Sequence, residues 1–192
     1  MIDTQITHRF KNTCYNPSKL LNDCNMLSTF MNRLAKQSDS DPDSWDPMTY
    51  RGDGFEAMVE LLIKCSPVDK RIDITDYRPW NTQLDGPDVG IDGQGISHAG
   101  LPHTVQIKFR SNTQRDLTAN DDHISNFVAK TKSMHPVTDV RMTIFTTANN
   151  LMESINADMY HGKVRTLGYK EIGKLVNSNT AFWNIFRHEM GA

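Results

Sequence analysis

The chain has 192 residues, a formal net charge of −2, 38% hydrophobic residues and 23% charged residues. This is the composition of an ordinary soluble globular protein, long enough for one decorated domain or two small ones. It contains no run of about 18 apolar residues to span a membrane, and "MIDTQITHRFKN" lacks the basic-then-apolar layout of a secretory signal, so the expected location is the cytoplasm.

Cys14, Cys24 and Cys65 form no CxxC pair. An odd count without that spacing argues against a disulfide framework or a structural zinc site. All three are expected to be buried small hydrophobes. Charge is unevenly spread: residues 1–100 carry 10 basic and 15 acidic side chains, residues 101–192 carry 11 and 8. Such a split suits a carboxylate cluster beside a phosphate-binding face.

In chain order, "NPSKLLNDCNMLSTFMNRLAK" predicts one helix. Leu20, Leu21, Cys24, Leu27, Phe30, Met31 and Leu34 make a single apolar stripe; Asn16 is placed to cap it, with Pro17 in the first turn. The Asp-, Ser- and Pro-rich "QSDSDPDSWDPMTY" predicts a solvated loop. These two segments give an N-terminal helical extension and acidic linker over residues 1–50, ahead of a main domain over 51–192. "GDGFEAMVELLIKCSP" predicts a second helix that buries Phe55, Met58, Val59, Leu62 and Ile63, with Pro67 ending it. Glu56 and Glu60 project from one side of it.

"VDKRIDITDYRPWNTQLDGPDVGIDG" predicts short strands and turns. Asp85 is expected to shape a turn, and Asp88 opens the "DVGIDG" segment. "HTVQIKFRSN" predicts a strand by strict alternation, with Gln106, Lys108 and Arg110 on one face and Val105, Ile107 and Phe109 on the other. "LTANDDHISNFVAKTKSM" predicts a helix with Ile124, Phe127, Val128 and Thr131 inward. "VTDVRMTIFTTA" predicts a buried strand. "NLMESINADMYHG" predicts a helix closed by Gly162. The remainder predicts a strand and one or two helices with Ile172, Leu175, Val176, Phe182, Trp183 and Phe186 as their apolar positions. The expected class is α/β with a mixed central sheet flanked by helices. His98 and His103 are expected in an exposed loop.

Three stretches carry chemistry-bearing residues in order: "GDGFEAMVELL" with Glu56, "DVGIDG" with Asp92, and "VQIKFRS" with Gln106 and Lys108. Thirteen residues separate Asp92 from Gln106. Taken singly, each is an ordinary helix start, turn or half-exposed strand.

Together they resemble the PD-(D/E)XK nuclease superfamily in its Mrr-like branch, where Gln replaces the acidic residue before "xK". The resemblance covers roughly Arg51 to Arg187, and the downstream "SNFVAKTKS", "RMTIFTTA" and "FWNIF" look like Mrr-like domains fused to phage and viral helicases. It implies a restriction-endonuclease-like core and a DNA endonuclease using Mg²⁺ or Mn²⁺. It further implies metal ligation by Asp92, by the Gln106 amide oxygen, by the Ile107 backbone carbonyl and by a helix carboxylate, Glu56, with Glu60 its neighbour. Lys108 would orient or deprotonate the water or stabilise the phosphorane, and Arg110 would meet a phosphate, with Lys130 and Lys132 as further DNA contacts. The implied partners are DNA, a second copy of the chain, and a helicase or replication protein joined to or bound by it; no membrane is implied. The rival reading is a nucleic-acid-binding or assembly module that keeps the fold without catalysis.

Overall fold

The computed structural model describes residues 4–40, 46–66, 69–80, 85, 90–118, 123–137, 139–152 and 164–192. The chain divides into two compact units: Met1–Cys65 with Glu171–Ala192, and Ser66–Lys170. None of the helices among the described residues is long and apolar enough to cross a membrane.

The first unit is helical. It contains α1 (Phe10–Thr13), α2 (Pro17–Leu21), α3 (Leu27–Ser38), α4 (Pro47–Cys65), all but the start of α6 (Tyr169–Val176), and α7 (Thr180–Met190). Asn16 caps α2 by accepting from the Lys19 amide at 2.8 Å, with Pro17 in the first turn. The single helix expected over this region is two, because the chain turns at Asn22–Met26, where Asp23 takes a positive φ of 55°. Asn and Asp tolerate that conformation better than other side chains. Arg187 donates to the Leu21 and Cys24 carbonyls at 3.1 and 3.0 Å, and Arg33 donates to the Asn22 carbonyl. The guanidinium groups thus replace the helical partners lost at the break. The apolar stripe survives it: every residue from Leu20 to Leu34 named in the stripe is buried.

Helix α4 begins earlier than "GDGFE". The Asp46 carboxylate accepts from the Thr49 amide at 2.9 Å and hydroxyl at 2.8 Å, a capping arrangement followed directly by Pro47. A boundary at 50/51 would cut this helix. Tyr50 instead packs on Phe10 and bonds to Gln37 at 2.8 Å, which ties the first turn of α4 to the N-terminal helices. Phe30, Phe182, Trp183 and Phe186 form an aromatic core, with the Trp183 indole N–H satisfied by the Val176 carbonyl at 2.7 Å.

The second unit holds a five-stranded mixed sheet in the order β1-β2-β3-β4-β5: β1 (Thr75–Pro79), β2 (Gly93–Ile96), β3 (Pro102–Lys108), β4 (Arg141–Thr146) and β5 (Val164–Leu167). β1–β2 and β2–β3 pair antiparallel; β3–β4 and β4–β5 pair parallel. α5 (Ile124–Met134) supplies the crossover that a parallel β3–β4 pair requires. Its Ile124, Phe127 and Val128 pack with Met142, Ile144 and Val164 of the sheet, alongside Ile91, Leu117 and Leu151. Thr131, inward as expected, bonds across to Thr104 on β3 at 2.9 Å. β3 is buried on both faces from His103 to Ile107, with Thr104 bonded to α5, while Lys108 at its end stays half-exposed. Gly93 has a packing reason: a Cβ there would lie 2.3 Å from the Tyr77 hydroxyl.

The helix expected over "NLMESINADMYHG" and its Gly162, together with Pro67 and Asp88, lies largely outside the described residues. The cysteines are free; Cys24 is buried as expected, whereas Cys14 and Cys65 are half-buried.

Candidate active site

Asp92 sits where β2 enters the sheet. Its amide donates to the Val105 carbonyl at 2.9 Å, and its carbonyl accepts from Trp80 at 2.9 Å. The β2–β3 register pairs Gly93 with Val105 and Gln94 with Thr104. The Asp92 amide bonds to Val105, the residue already paired with Gly93, so the pairing is displaced by one residue where Asp92 enters the sheet. The Asp92 carboxylate also accepts from the Ile107 amide at 2.5 Å, a position that a backbone carbonyl would fill in a longer β2.

Gln106 is fully buried. Its amide N–H donates to the Gly90 carbonyl at 3.1 Å. Gly90 adopts a φ of +76°, which favours glycine. With the nitrogen committed, the oxygen Oε1 is left buried without a hydrogen-bond donor among the described residues. An orphaned buried acceptor of this kind costs about 1–3 kcal/mol, and a bound cation is one of the ordinary reasons for it. The Ile107 carbonyl leaves the strand on the same side as its N–H, the side occupied by Asp92. A carboxylate, an amide oxygen and a backbone carbonyl are the hard oxygen donors that Mg²⁺ and Mn²⁺ prefer.

Lys108 follows Gln106 by two residues on the same face and is half-exposed. Its backbone is pinned by the Thr146 hydroxyl at 2.8 Å and the Thr147 amide at 3.2 Å. No described carboxylate forms an ion pair with its ammonium group. The Arg110 amide donates to the Thr147 hydroxyl at 2.6 Å, and its guanidinium donates to the Phe109 carbonyl at 2.7 Å. Lys130 and Lys132 are both exposed on α5, and a two-residue step turns them about 200° apart around the helix, so they do not share a face.

Glu56 belongs to the helical unit. Its carboxylate meets His8 Nε2 at 3.0 Å, and Asp53, one turn earlier, is held by Arg9 through two 2.9 Å bonds. His8, Asp53 and Glu56 each offer a ligand atom within 4.8 Å of the others. The His8 Nδ1 accepts from the Phe10 amide at 3.2 Å, so a neutral ring carries its proton on Nε2 and donates it to Glu56. A cation there would have to displace that bond. Glu60, expected as a neighbour of the helix ligand or a solvated residue, is fully buried. It accepts from the Thr7 amide and hydroxyl, the His8 amide and Lys64, at 2.7–3.1 Å, which anchors the N-terminal segment.

The histidines also differ from expectation. His103 lies inside β3, not in a loop, with its ring nitrogens at 3.0 Å from the Asp73 carbonyl and 2.8 Å from the Thr143 hydroxyl. Burial pushes its pKa down to about 4. His98 is exposed and sits 2.7 Å from the Asp73 carboxylate, which this bond helps to hold below its ordinary range against the opposing effect of burial. Asp85 pairs with Arg78 through two 2.6 Å bonds.

No protein-family model matches this chain, and no curated protein sequence matches it. The sequence alone missed the Gly90 carbonyl and the His8–Glu56 contact. A glycine just before "IDG" is the one signal that bears on the first; nothing local in the sequence pairs residues 8 and 56.

Proposed function

We propose that the sheet unit is the catalytic core of a metal-dependent DNA endonuclease with a restriction-endonuclease-like arrangement. The observation that carries the reading is the buried Oε1 of Gln106, without a donor among the described residues, next in the chain to Ile107, whose amide holds the Asp92 carboxylate. Asp92, Gln106 and the Ile107 carbonyl would hold the ion. When bound, Mg²⁺ or Mn²⁺ supplies Lewis-acid polarisation of the phosphoryl oxygen and acidifies a water. The Ile107 amide fixes the orientation of the Asp92 carboxylate, and Gly90 fixes that of the Gln106 amide. Lys108 projects its ammonium group from the same face, where it positions the attacking water or balances charge on the phosphoryl oxygens. The proposed centre uses sheet residues alone, with one formal negative charge, which suits a weakly held ion.

The test is incubation of the whole chain with single-stranded, duplex and branched DNA in Mg²⁺, Mn²⁺ or EDTA. Cleavage in metal that disappears in EDTA, in Asp92→Ala and in Lys108→Ala supports the reading. Metal-independent DNA binding without cleavage supports a binding module instead. A homodimer and a helicase or replication partner belong to the same proposal; sedimentation with and without duplex DNA tests the first.

A further inference from the structure

β3 and β4 run parallel, so their carboxyl ends open to the same side, the usual place for a ligand in an open α/β sheet. The loops that follow them enclose a groove of about 390 Å³. Arg110, Ser111, Asn112 and Arg115 form its polar walls, and Leu117 and Ala148, each 1% exposed, form an apolar floor. Asp116 also lines it.

The two loops are fastened to each other. The Thr147 hydroxyl accepts from the Arg110 amide at 2.6 Å and donates to the Arg110 carbonyl at 2.7 Å. The Asn149 amide donates to the Arg115 carbonyl at 3.0 Å, and the Leu117 amide donates to the Asn150 carbonyl at 2.7 Å. The Asn149 side chain donates to the Asp116 carboxylate at 2.7 Å, satisfying one of its oxygens and fixing it to the second loop. The groove is therefore built before any ligand arrives, so little ordering cost is left for binding.

We infer that this groove is a nucleotide subsite for the DNA strand next to the cleaved bond, with Arg110 and Arg115 on a phosphate and the sugar and base against Leu117 and Ala148. The volume suits a nucleotide-sized ligand. Arg110 is two residues beyond Lys108, at most about 7 Å along the chain, so a strand whose phosphate lies at Lys108 passes directly into the groove. The ligand class rests on the nuclease reading; the groove itself rests on its own geometry.

The experiment is fluorescence anisotropy of short labelled single-stranded and duplex oligonucleotides with the whole chain in EDTA and in Ca²⁺, across a salt series, alongside the cleavage assay. Arg115→Gln removes an exposed charge and leaves the floor intact. Asn112→Asp keeps the side-chain oxygen that accepts from the Gln114 amide at 3.0 Å and adds a negative charge to the groove. Both variants are expected to weaken binding on the order of tenfold, and Arg115→Gln to lower the salt slope by about one. Lys70→Gln, outside the groove, is the control and should change neither. Wild-type affinity and slope in both groove variants would overturn the subsite, as would a wild-type chain that binds no DNA at low salt. Groove-dependent binding by a chain that never cleaves would keep the subsite and remove the nuclease reading; cleavage that ignores both variants would do the reverse.

Discussion

The carboxylate of Asp92 accepts a 2.5 Å hydrogen bond from the amide of Ile107, the residue between Gln106 and Lys108. One contact therefore locks the acidic residue to the strand that carries the amide and the lysine. It also separates two roles of Asp92, charge and hydrogen-bond acceptance. Asp92→Asn keeps an oxygen for Ile107 and loses the charge; it should fold near wild type while Mn²⁺ affinity, read by calorimetry, falls at least tenfold. Asp92→Ala loses both and should also be less stable by about 1–3 kcal/mol. Equal Mn²⁺ affinity in wild type and Asp92→Asn would remove Asp92 from the metal site.

Gln106→Glu supplies the charge that the site lacks. Without metal, the new carboxylate faces the Gly90 carbonyl that now accepts from the Gln106 amide at 3.1 Å. The apo variant should lose about 1–3 kcal/mol. With Mn²⁺ the stability should return, and the thermal shift on metal addition should exceed that of wild type. A variant that stays destabilised at saturating Mn²⁺ would count against an ion at this position.

His103 makes a prediction about acid. Its ring is neutral in the folded chain, with a pKa of about 4 against an ordinary 6.5. Between those values the unfolded chain binds the extra proton, so stability falls as pH drops from 6.5 toward 4. The full effect is roughly 3 kcal/mol. Urea unfolding at a series of pH values should show this slope in wild type, and His103→Gln should flatten it even if the variant is weaker at pH 7.

Glu60 and Glu56 can be told apart by stability. Glu60 is fully buried with Lys64 at 2.8 Å and three further donors, and removing one partner of such a buried set costs about 3–5 kcal/mol. Glu60→Ala should show that loss in thermal or urea unfolding, with Mn²⁺ affinity at the sheet site unchanged once folded. Glu56→Gln keeps its shape at a half-buried position; its unfolding midpoint should move far less. Lost Mn²⁺ binding at full stability in Glu60→Ala would overturn the anchoring role.

Apolar spacing was enough to identify which residues are inside. The stripes of α3, α4, α5 and α7 are buried as their periodicity demands, because burial follows from 3.6-residue repetition whatever the neighbours are. It was not enough to fix where elements break: "LLNDCNML" continues the stripe, yet the chain turns at Asp23, where Arg33 and Arg187 from elsewhere satisfy the freed carbonyls. Alternation likewise gave β3 its two faces but not their surroundings, since where α5 meets the strand depends on the crossover.

By itself, the sequence determined the residue types of the candidate site, their order, and the shared face of Gln106 and Lys108, all local properties of one strand and one turn. Only the tertiary structure decided that the Asp92 carboxylate meets the Ile107 amide, that Gly90 takes the Gln106 amide hydrogen and leaves Oε1 without a donor among the described residues, and that Glu60 is an anchor. Those are facts of strand register and of contacts between residues far apart in the chain, and register is set by pairing across the whole sheet rather than by any segment alone.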